Sequence, residues 1–311
     1  LCTLKCCYDV VKLLIFFRPR MKIILFSRPQ IAHKAEDVGH LLPLVERYGF
    51  DYAINQEFAV EVEKLLGVTI PSDKIYAATT GQQPADSVMV CFGGDGTLLE
   101  GIHRLSDRSI PVAAINFGHL GFLTSATRDG VEALFEDVAN HRLTIQPRTM
   151  LEISGIEEAE GLMTALNEIA VQRAEATMVK VEAKVNSQLV AQYNGDGVIV
   201  STPTGSTGYN MSAGGPIIDP TSDAMVMTNI CPHNLFNRGI VLSGNKVITI
   251  AIPGDRQGRN QQVEATFDGC VKIKLSTGDC INIKQAPATT KIIRLEPTSF
   301  MEILHKKMSL S

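Results

Sequence analysis

Tryptophan is absent from the 311 residues, and tyrosine and phenylalanine number only 6 and 12. An aromatic surface for stacking bases is therefore not expected. Positive charge is not in excess either: 29 Lys plus Arg stand against 33 Asp plus Glu, a formal net charge of −4. That argues against a nucleic-acid partner, which normally meets a basic face. Anionic small ligands stay open, because backbone N–H groups or a metal ion can hold phosphates locally. No stretch is long enough to be transmembrane. The apolar run at 10–17 is too short to span a bilayer, and it ends in Arg18-Pro19-Arg20 with no small-residue cleavage site. The seven cysteines (Cys2, Cys6, Cys7, Cys91, Cys231, Cys270, Cys280) include no C-x-x-C pair. Buried, reduced thiols in a cytoplasmic protein are the expectation.

What is present is a core: 45% hydrophobic and 20% charged residues suit one large domain or two ordinary ones. Lys22-Ile23-Ile24-Leu25-Phe26, just after Met21, reads as a first strand. The expectation is that the natural chain starts at Met21 and that residues 1–20 are an upstream extension. From 21 to 147, strand-like and helix-like pieces alternate. Helices are predicted over 33–48 and 57–66, and apolar runs at 87–92 and 112–115 suit strands buried on both faces of a parallel sheet. This part reads as an open, doubly wound α/β domain. From 148 to 290 the pattern changes to short strands, at 149–154, 161–172, 177–185, 196–201, 245–252, 270–275 and 279–284. That part reads as a β-sandwich-like domain. The segment 291–311 ends in a helical tail over 298–307 that returns to the first domain.

Three motifs carry chemistry. The first is Phe92-Gly93-Gly94-Asp95-Gly96-Thr97, where an apolar strand ends, three glycines surround one carboxylate, and a helix begins near Leu98. Ligands of open parallel sheets gather at strand carboxyl ends, and helix N-termini favour phosphate. A carboxylate in such a place either takes a proton from an attacking hydroxyl or holds a divalent metal. A plainer reading makes Asp95 the cap of the next helix. The second motif runs from Asn194 to Pro216, where five of the seven residues 201–207 bear hydroxyls and Tyr209 offers a ring face. It suits sugar or phosphate oxygens, or else it is a polar surface loop. The third is Asn167-Glu168, two polar residues interrupting an apolar strand. Neighbours on a regular strand face opposite ways, so one ligand meets both only at a strand end or bulge. An ordinary exposed pair is the alternative.

In this order and spacing the motifs resemble the NAD kinases. Members of that family carry Gly-Gly-Asp-Gly, then Asn-Glu, then an Asp-Gly…Ser-Thr-Pro-Thr-Gly-Ser-Thr-Ala-Tyr…Ser-Ala-Gly-Gly-Pro block. Here these stand at Gly93–Gly96, Asn167-Glu168 and Asp196 through Pro216, and Asn116 to Leu123 resembles a further family segment. The resemblance implies transfer of the ATP γ-phosphate to the 2′-hydroxyl of the adenosine ribose of NAD, giving NADP. It implies Asp95 as general base, with Gly94 and Gly96 around the ligand and Asn167 and Glu168 on the adenosine ribose. Thr207, Gly208, Tyr209, Asn210, Met211 and Ser212 would line the NAD pocket, and Asp196 would meet the nicotinamide end. A magnesium or manganese ion would travel with ATP, and the chain would form a homodimer or homotetramer. Two positions depart from the pattern: Gly208 replaces the commoner alanine, and Cys270 follows Asp268-Gly269 where many members carry Gln. Gly-Gly-Asp-Gly also occurs in diacylglycerol and sphingosine kinases, so a lipid kinase is one rival reading. A non-catalytic NAD-sensing module is the other.

Overall fold

The structure is a computed structural model describing residues 21–29, 31, 33–118, 121–156, 163–233, 238–254, 257–295 and 299–309. Residues 1–20, His119-Leu120, the start of the strand expected at 161–172, and Thr298 lie outside the described residues. The first part runs β1 (Lys22–Phe26), α1 (Ala35–Val38), α2 (Leu41–Arg47), β2 (Asp51–Asn55), α3 (Gln56–Leu66) and β3 (Ile75–Tyr76). It continues with β4 (Ser87–Phe92), α4 (Asp95–Arg104), β5 (Val112–Asn116), β6 (Ala126–Thr127) and α5 (Val131–Ala139). Five strands pair in the parallel order β3-β2-β1-β4-β5. All six residues of β4 are buried, as its unbroken apolar run requires.

Strand alternation sorts the core. Ile23, Leu25, Val88 and Val90 pack on one face with Val38, Phe58 and Phe135 from α1, α3 and α5. Ile24, Phe26, Met89 and Cys91 pack on the other with Leu98 and Ile102 of α4. The sheet is doubly wound as expected. The helix expected over 33–48 is two helices, α1 and α2. Pro43 has no N–H to give the Gly39 carbonyl four residues back, so one continuous helix cannot form there.

The second part is β7 (Thr144–Ser154), β8 (Thr164–Ala165), β9 (Glu168–Arg173), β10 (Val179–Val185), β11 (Gln188–Gly195), β12 (Gly197–Ser201) and α6 (Tyr209–Ser212). It continues with β13 (Ala224–Ile230), β14 (Ile240–Ser243), β15 (Ile248–Ala251), β16 (Gln262–Phe267), β17 (Val271–Ser276), β18 (Cys280–Arg294) and α7 (Phe300–Met308). An antiparallel sheet β14-β13-β12-β9-β16-β17 faces strands β11-β10-β15-β18, and Val181, Ile248 and Ile281 meet Val171, Val198 and Met227 between them.

The 15-residue β18 joins the halves. It pairs antiparallel with β15 near Ile281 and Ile283, then runs parallel to β5 at Ile292↔Val112. β7 follows it along both stretches, with a register shift between Gln285 and Thr289 around Pro287, which cannot donate to a ladder. One 12-stranded sheet therefore crosses both parts. The divisions drawn at 147/148 and 290/291 fall inside β7 and β18. The tail helix α7 packs Phe300 against Phe122 at 5.9 Å and buries Ile303.

The thiol expectation needs correction. Cys91 is buried, but Cys231, Cys270 and Cys280 are exposed, and all four are free. Those three exposed thiols sit at strand ends and turns rather than inside strands. No helix among the described residues is long and apolar enough to cross a membrane.

Because Ile292 is fully buried where the two parts share their sheet, Ile292→Ala is expected to cost about 2–5 kcal/mol and to shift one common unfolding transition. Two separate transitions in calorimetry, only one of them displaced, would contradict the shared sheet.

Candidate active site

β1 and β4 are neighbours, and the sheet grows from them in opposite directions, so the crevice beyond their carboxyl ends is a topological switch point. Gly93 leaves β4 at φ +152, where a Cβ would stand 2.2 Å from Thr97 Oγ1. Gly94 is the N-cap and Asp95 the first residue of α4. The helix starts three residues earlier than Leu98. Asp95 does not cap it. The carboxylate instead accepts the N–H groups of Phe122, at 2.9 Å, and Leu123, at 3.0 Å. Gly121 is needed for that approach, since a Cβ there would lie 2.0 Å from Asp95 Oδ1. On the same turn, Arg294 donates to the carbonyls of Thr124, at 2.7 Å, and Phe122. Arg28, just past β1, reaches over the glycine turn: a Cβ on Gly96 would lie 2.9 Å from its Nη1. It pairs with Glu100 at 2.9 Å. The sequence motifs did not single out Arg28, although a cation directly after the first strand of a doubly wound sheet stands where ligands bind.

The second half of the site rests on another residue outside the motifs. Asp268 and Gly269, at φ +52 and +67, form the tight turn between β16 and β17. The Asp268 carboxylate accepts three successive N–H groups: Leu166 at 2.8 Å, Asn167 at 2.7 Å and Glu168 at 3.1 Å. It also pairs with Nε2 of His103 on α4 at 3.0 Å. His103 is satisfied by that pair, and it links the helix that begins with Asp95 to the Asn167-Glu168 segment.

That segment is the break between β8 and β9, so the two side chains escape strict alternation. Glu168 is buried, not an exposed surface residue. Burial, then the nearby Asp268 charge, pushes its carboxyl up to about 8, against the Tyr209 N–H that favours the ionised form. Glu168 Oε2 and Asn167 Oδ1 are buried with no hydrogen-bond partner. Unpaired buried polar atoms are costly, and here they belong to two successive residues.

The hydroxyl loop presses on this segment. Gly205 passes so near Asn167 that a Cβ would meet its carbonyl at 2.1 Å. Most of the hydroxyls serve the loop. Ser201 bonds the Asn167 carbonyl at 3.1 Å, Thr202 the Leu166 carbonyl at 2.6 Å, Ser206 the Pro203 carbonyl at 2.6 Å and Thr207 the Thr204 carbonyl at 3.3 Å. Only Thr204 Oγ1 is buried without a partner among the five. Asn210 is fully buried, giving its amide to the Ser206 and Pro216 carbonyls and accepting from Thr228. Its side chain closes the loop rather than lining a surface. Tyr209, Met211 and Ser212 are exposed. At Gly208 an alanine Cβ would stand 3.1 Å from Glu168 Oε2 and 3.3 Å from Asn167 Nδ2, so glycine leaves more room beside both. Asp196 pairs with Arg173 at 3.0 Å. The Cys270 thiol lies 3.4 Å from the Asp268 carbonyl, on a cavity of about 440 Å³ shared with Arg28 and His103. Among the described residues no group of three or more His, Cys, Asp or Glu is placed to hold a metal ion.

The raised Glu168 carboxyl has a definite sign in stability. The folded protein keeps this proton up to about pH 8, while the unfolded chain releases it near the ordinary value of 4.5. Stability from this group therefore falls as pH rises between those values. Glu168→Gln should raise the thermal midpoint relative to the wild type at pH 9, with the gain shrinking towards pH 5. A gain that does not change across pH 5–9 would refute the assignment.

Residues 13–143 match the model of the ATP-NAD kinase N-terminal domain, and residues 166–295 match that of the ATP-NAD kinase C-terminal domain. An NAD kinase of Christiangramia forsetii is 32% identical over 295 residues, 93% of this chain and 97% of that protein. An NAD kinase of Geotalea daltonii is 38% identical over 230 residues, 73% of this chain and 79% of that protein. The fold is similar to yeast NADH kinase complexed with NADH, with a TM-score of 0.77 and 22% identity over 95% of this chain and 89% of that one. It is similar also to an Archaeoglobus fulgidus NAD kinase in complex with ATP, with a TM-score of 0.71 and 22% identity over 94% of this chain and all of that one. With both halves matched in order and a relative aligned along nearly the whole length, the chain belongs to the NAD kinase family.

Proposed function

We propose that this protein transfers the γ-phosphate of ATP to the 2′-hydroxyl of the adenosine ribose of NAD, giving NADP. The hydroxyl oxygen bonds to the γ-phosphorus, the bond from that phosphorus to the β–γ bridging oxygen breaks, and ADP leaves. Asp95 takes the hydroxyl proton. One observation carries the reading: Asn167 Oδ1 and Glu168 Oε2 are buried without partners on a segment tied through Asp268 to the helix that Asp95 begins. His103 lies eight residues after Asp95, about 12 Å along a helix rising 1.5 Å per residue. An amide oxygen that accepts and a carboxyl that can donate as well as accept suit the hydroxyls of a ribose and the nitrogens of an adenine.

Positioning and charge compensation dominate phosphoryl transfer. Arg28 and the N-terminus of α4 supply positive potential beside the glycine turn. The divalent ion, magnesium or manganese, would come with the triphosphate and offset its charge. Gly208 and Tyr209 belong to the NAD side of the proposal through their contact with Glu168, and Thr207, Met211 and Ser212 flank them on the same loop. Asp196, on the nicotinamide end, completes it. A homodimer or homotetramer in the cytoplasm is part of the same reading. Association is supported by exposed Leu189 and Val190 on edge strand β11 and Val241 on edge strand β14.

The assay supplies ATP, magnesium and NAD and follows NADP with an NADP-specific dehydrogenase. Asp95→Asn is expected to lose about 10²–10⁴ in turnover while still binding NAD. Near-normal turnover would remove Asp95 from the chemistry. Glu168→Ala is expected to raise the KM for NAD with the fold intact, and an unchanged KM would count against its place at the ribose. Phosphorylation of a lipid without NADP, or NAD binding without turnover in the wild type, would favour one of the two rival readings.

A further inference from the structure

On the face of the sheet opposite α4, one buried histidine takes no part in the site described above. His33 lies between β1 and α1 with 7% of its surface exposed. Its ring stands 5.5 Å from Phe58 and 5.5 Å from Phe117, edge-on to the latter. Phe92, the last residue of β4, packs against both of those phenylalanines, at 5.3 and 6.0 Å. The backbone N–H of His33 donates to Glu61 of α3 at 3.0 Å, so its main chain is fixed as well. Its Nε2 meets the buried Ser27 hydroxyl at 2.7 Å, and that hydroxyl donates to the Phe92 carbonyl at 2.8 Å.

A serine hydroxyl has one proton to give. Ser27 spends it on the carbonyl, which cannot donate, so Nε2 of His33 carries the N–H that Ser27 Oγ accepts. Burial lowers the pKa of His33, against the nearby Glu61 and Asp37 charges, and the neutral ring then bears its only N–H on Nε2. The result is a directed chain from His33 through Ser27 to Phe92, in which each bond polarises the next. It stands where the ladder between two strands has ended. β1 pairs with β4 as far as Phe26↔Cys91, and one position on, the Ser27 side chain takes over from the backbone. Ile31, in the same connection, fills the space beside Gly93, where a Cβ would lie 2.6 Å from its Cδ1. Phe117 follows β5 and heads the segment that leads to Gly121, Phe122 and Leu123, the residues around the Asp95 carboxylate. His33 therefore touches both the strand that delivers Asp95 and the segment that receives it.

We infer that His33 is a positioning residue for Asp95: its Nε2–H, relayed through Ser27, fixes the Phe92 carbonyl and with it the direction in which β4 releases the glycine turn, while its ring seats Phe117. Between Phe92 and Asp95 stand only Gly93 and Gly94, which have no side chains to hold the turn. Without the relay the turn loses its anchor on the β1 side, and the carboxylate shifts from the hydroxyl it activates. The seat at Asn167 and Glu168 belongs to the other half of the site and keeps its own restraint from Asp268. The kinetic side of this inference rests on the kinase reading; the anchoring of the turn does not.

The test compares His33→Leu, His33→Gln and Ser27→Ala in the full chain. A glutamine amide can present an N–H where Nε2 stood, whereas leucine fills space without one. With ATP, magnesium and NAD, His33→Leu should lose about 10–10² in kcat, with the KM for NAD within about twofold of the wild type. His33→Gln should recover most of that loss. Ser27→Ala should lose about as much as His33→Leu, and the double variant no more than either alone, because the same chain is broken in each. Amide exchange followed by mass spectrometry gives a readout free of catalysis. Residues 93–98 should exchange about tenfold faster in His33→Leu and recover in His33→Gln, while β10 and β11 exchange as in the wild type. Should His33→Leu fail to fold, Ser27→Ala carries the test with the same expectations, since it leaves the ring in place. A wild type that makes no NADP would remove the kinase reading, and the exchange result would then decide the inference by itself. Unchanged kcat or unchanged exchange at 93–98 in the folded variant would overturn it. So would equal losses in the leucine and glutamine variants with exchange raised throughout the chain.

Discussion

A single buried carboxylate holds the two halves of the candidate site in register. Asp268 accepts the N–H groups of Leu166, Asn167 and Glu168, which the break between β8 and β9 would otherwise leave buried and unpaired. Its bond to His103 carries that restraint onto α4. The carboxylate reaches these partners because the Asp268-Gly269 turn, with both residues at positive φ, aims it back across the sheet. With the backbone of Asn167 and Glu168 so fixed, their side chains cannot relax towards partners of their own. Glu168 stays buried with its carboxyl pushed up to about 8 and one oxygen unpartnered. An arrangement unfavourable to stability and over-determined by its surroundings is what a preorganised ligand seat requires.

The other half is held from two sides. The turn at 121–124 receives Asp95 on its N–H groups and Arg294 on its carbonyls. Asp95 comes from the end of β4 and Arg294 from the end of β18, strands of one sheet with β5 between them. The carboxylate proposed as base is thus positioned by the sheet that unites the two parts of the chain.

Much of this was legible beforehand because the periods were strong. The buried run of β4, the alternation of β10 and the glycine turn all produced elements where the pattern placed them. Strands β2, β3, β6, β11, β13, β14 and β16 were not foreseen; whether an apolar stretch such as Ala224–Ile230 is buried depends on partners distant in sequence. The long β18 could not be read either, since its two halves serve different neighbours across Pro287. Asp95 and Glu168 stood out as carboxylates among glycines or apolar residues. Asp268, His103 and Arg294 did not, because their meaning lies in contacts 100 or more residues away. The hydroxyl loop looked ligand-facing by composition, but most of its hydroxyls satisfy its own backbone and that of 166–167.

The central claim is that Asp268 sets Asn167 and Glu168 to receive the sugar whose hydroxyl Asp95 activates. A crystal structure with NAD bound tests it most directly. The account expects the 2′-hydroxyl of the adenosine ribose within hydrogen-bond reach of Asp95, about 2.6–3.2 Å. It also expects Asn167 Oδ1 and Glu168 Oε2 to be taken up by that same adenosine. A dinucleotide seated with its ribose away from Asp95, and with those two oxygens still unpartnered, would contradict it.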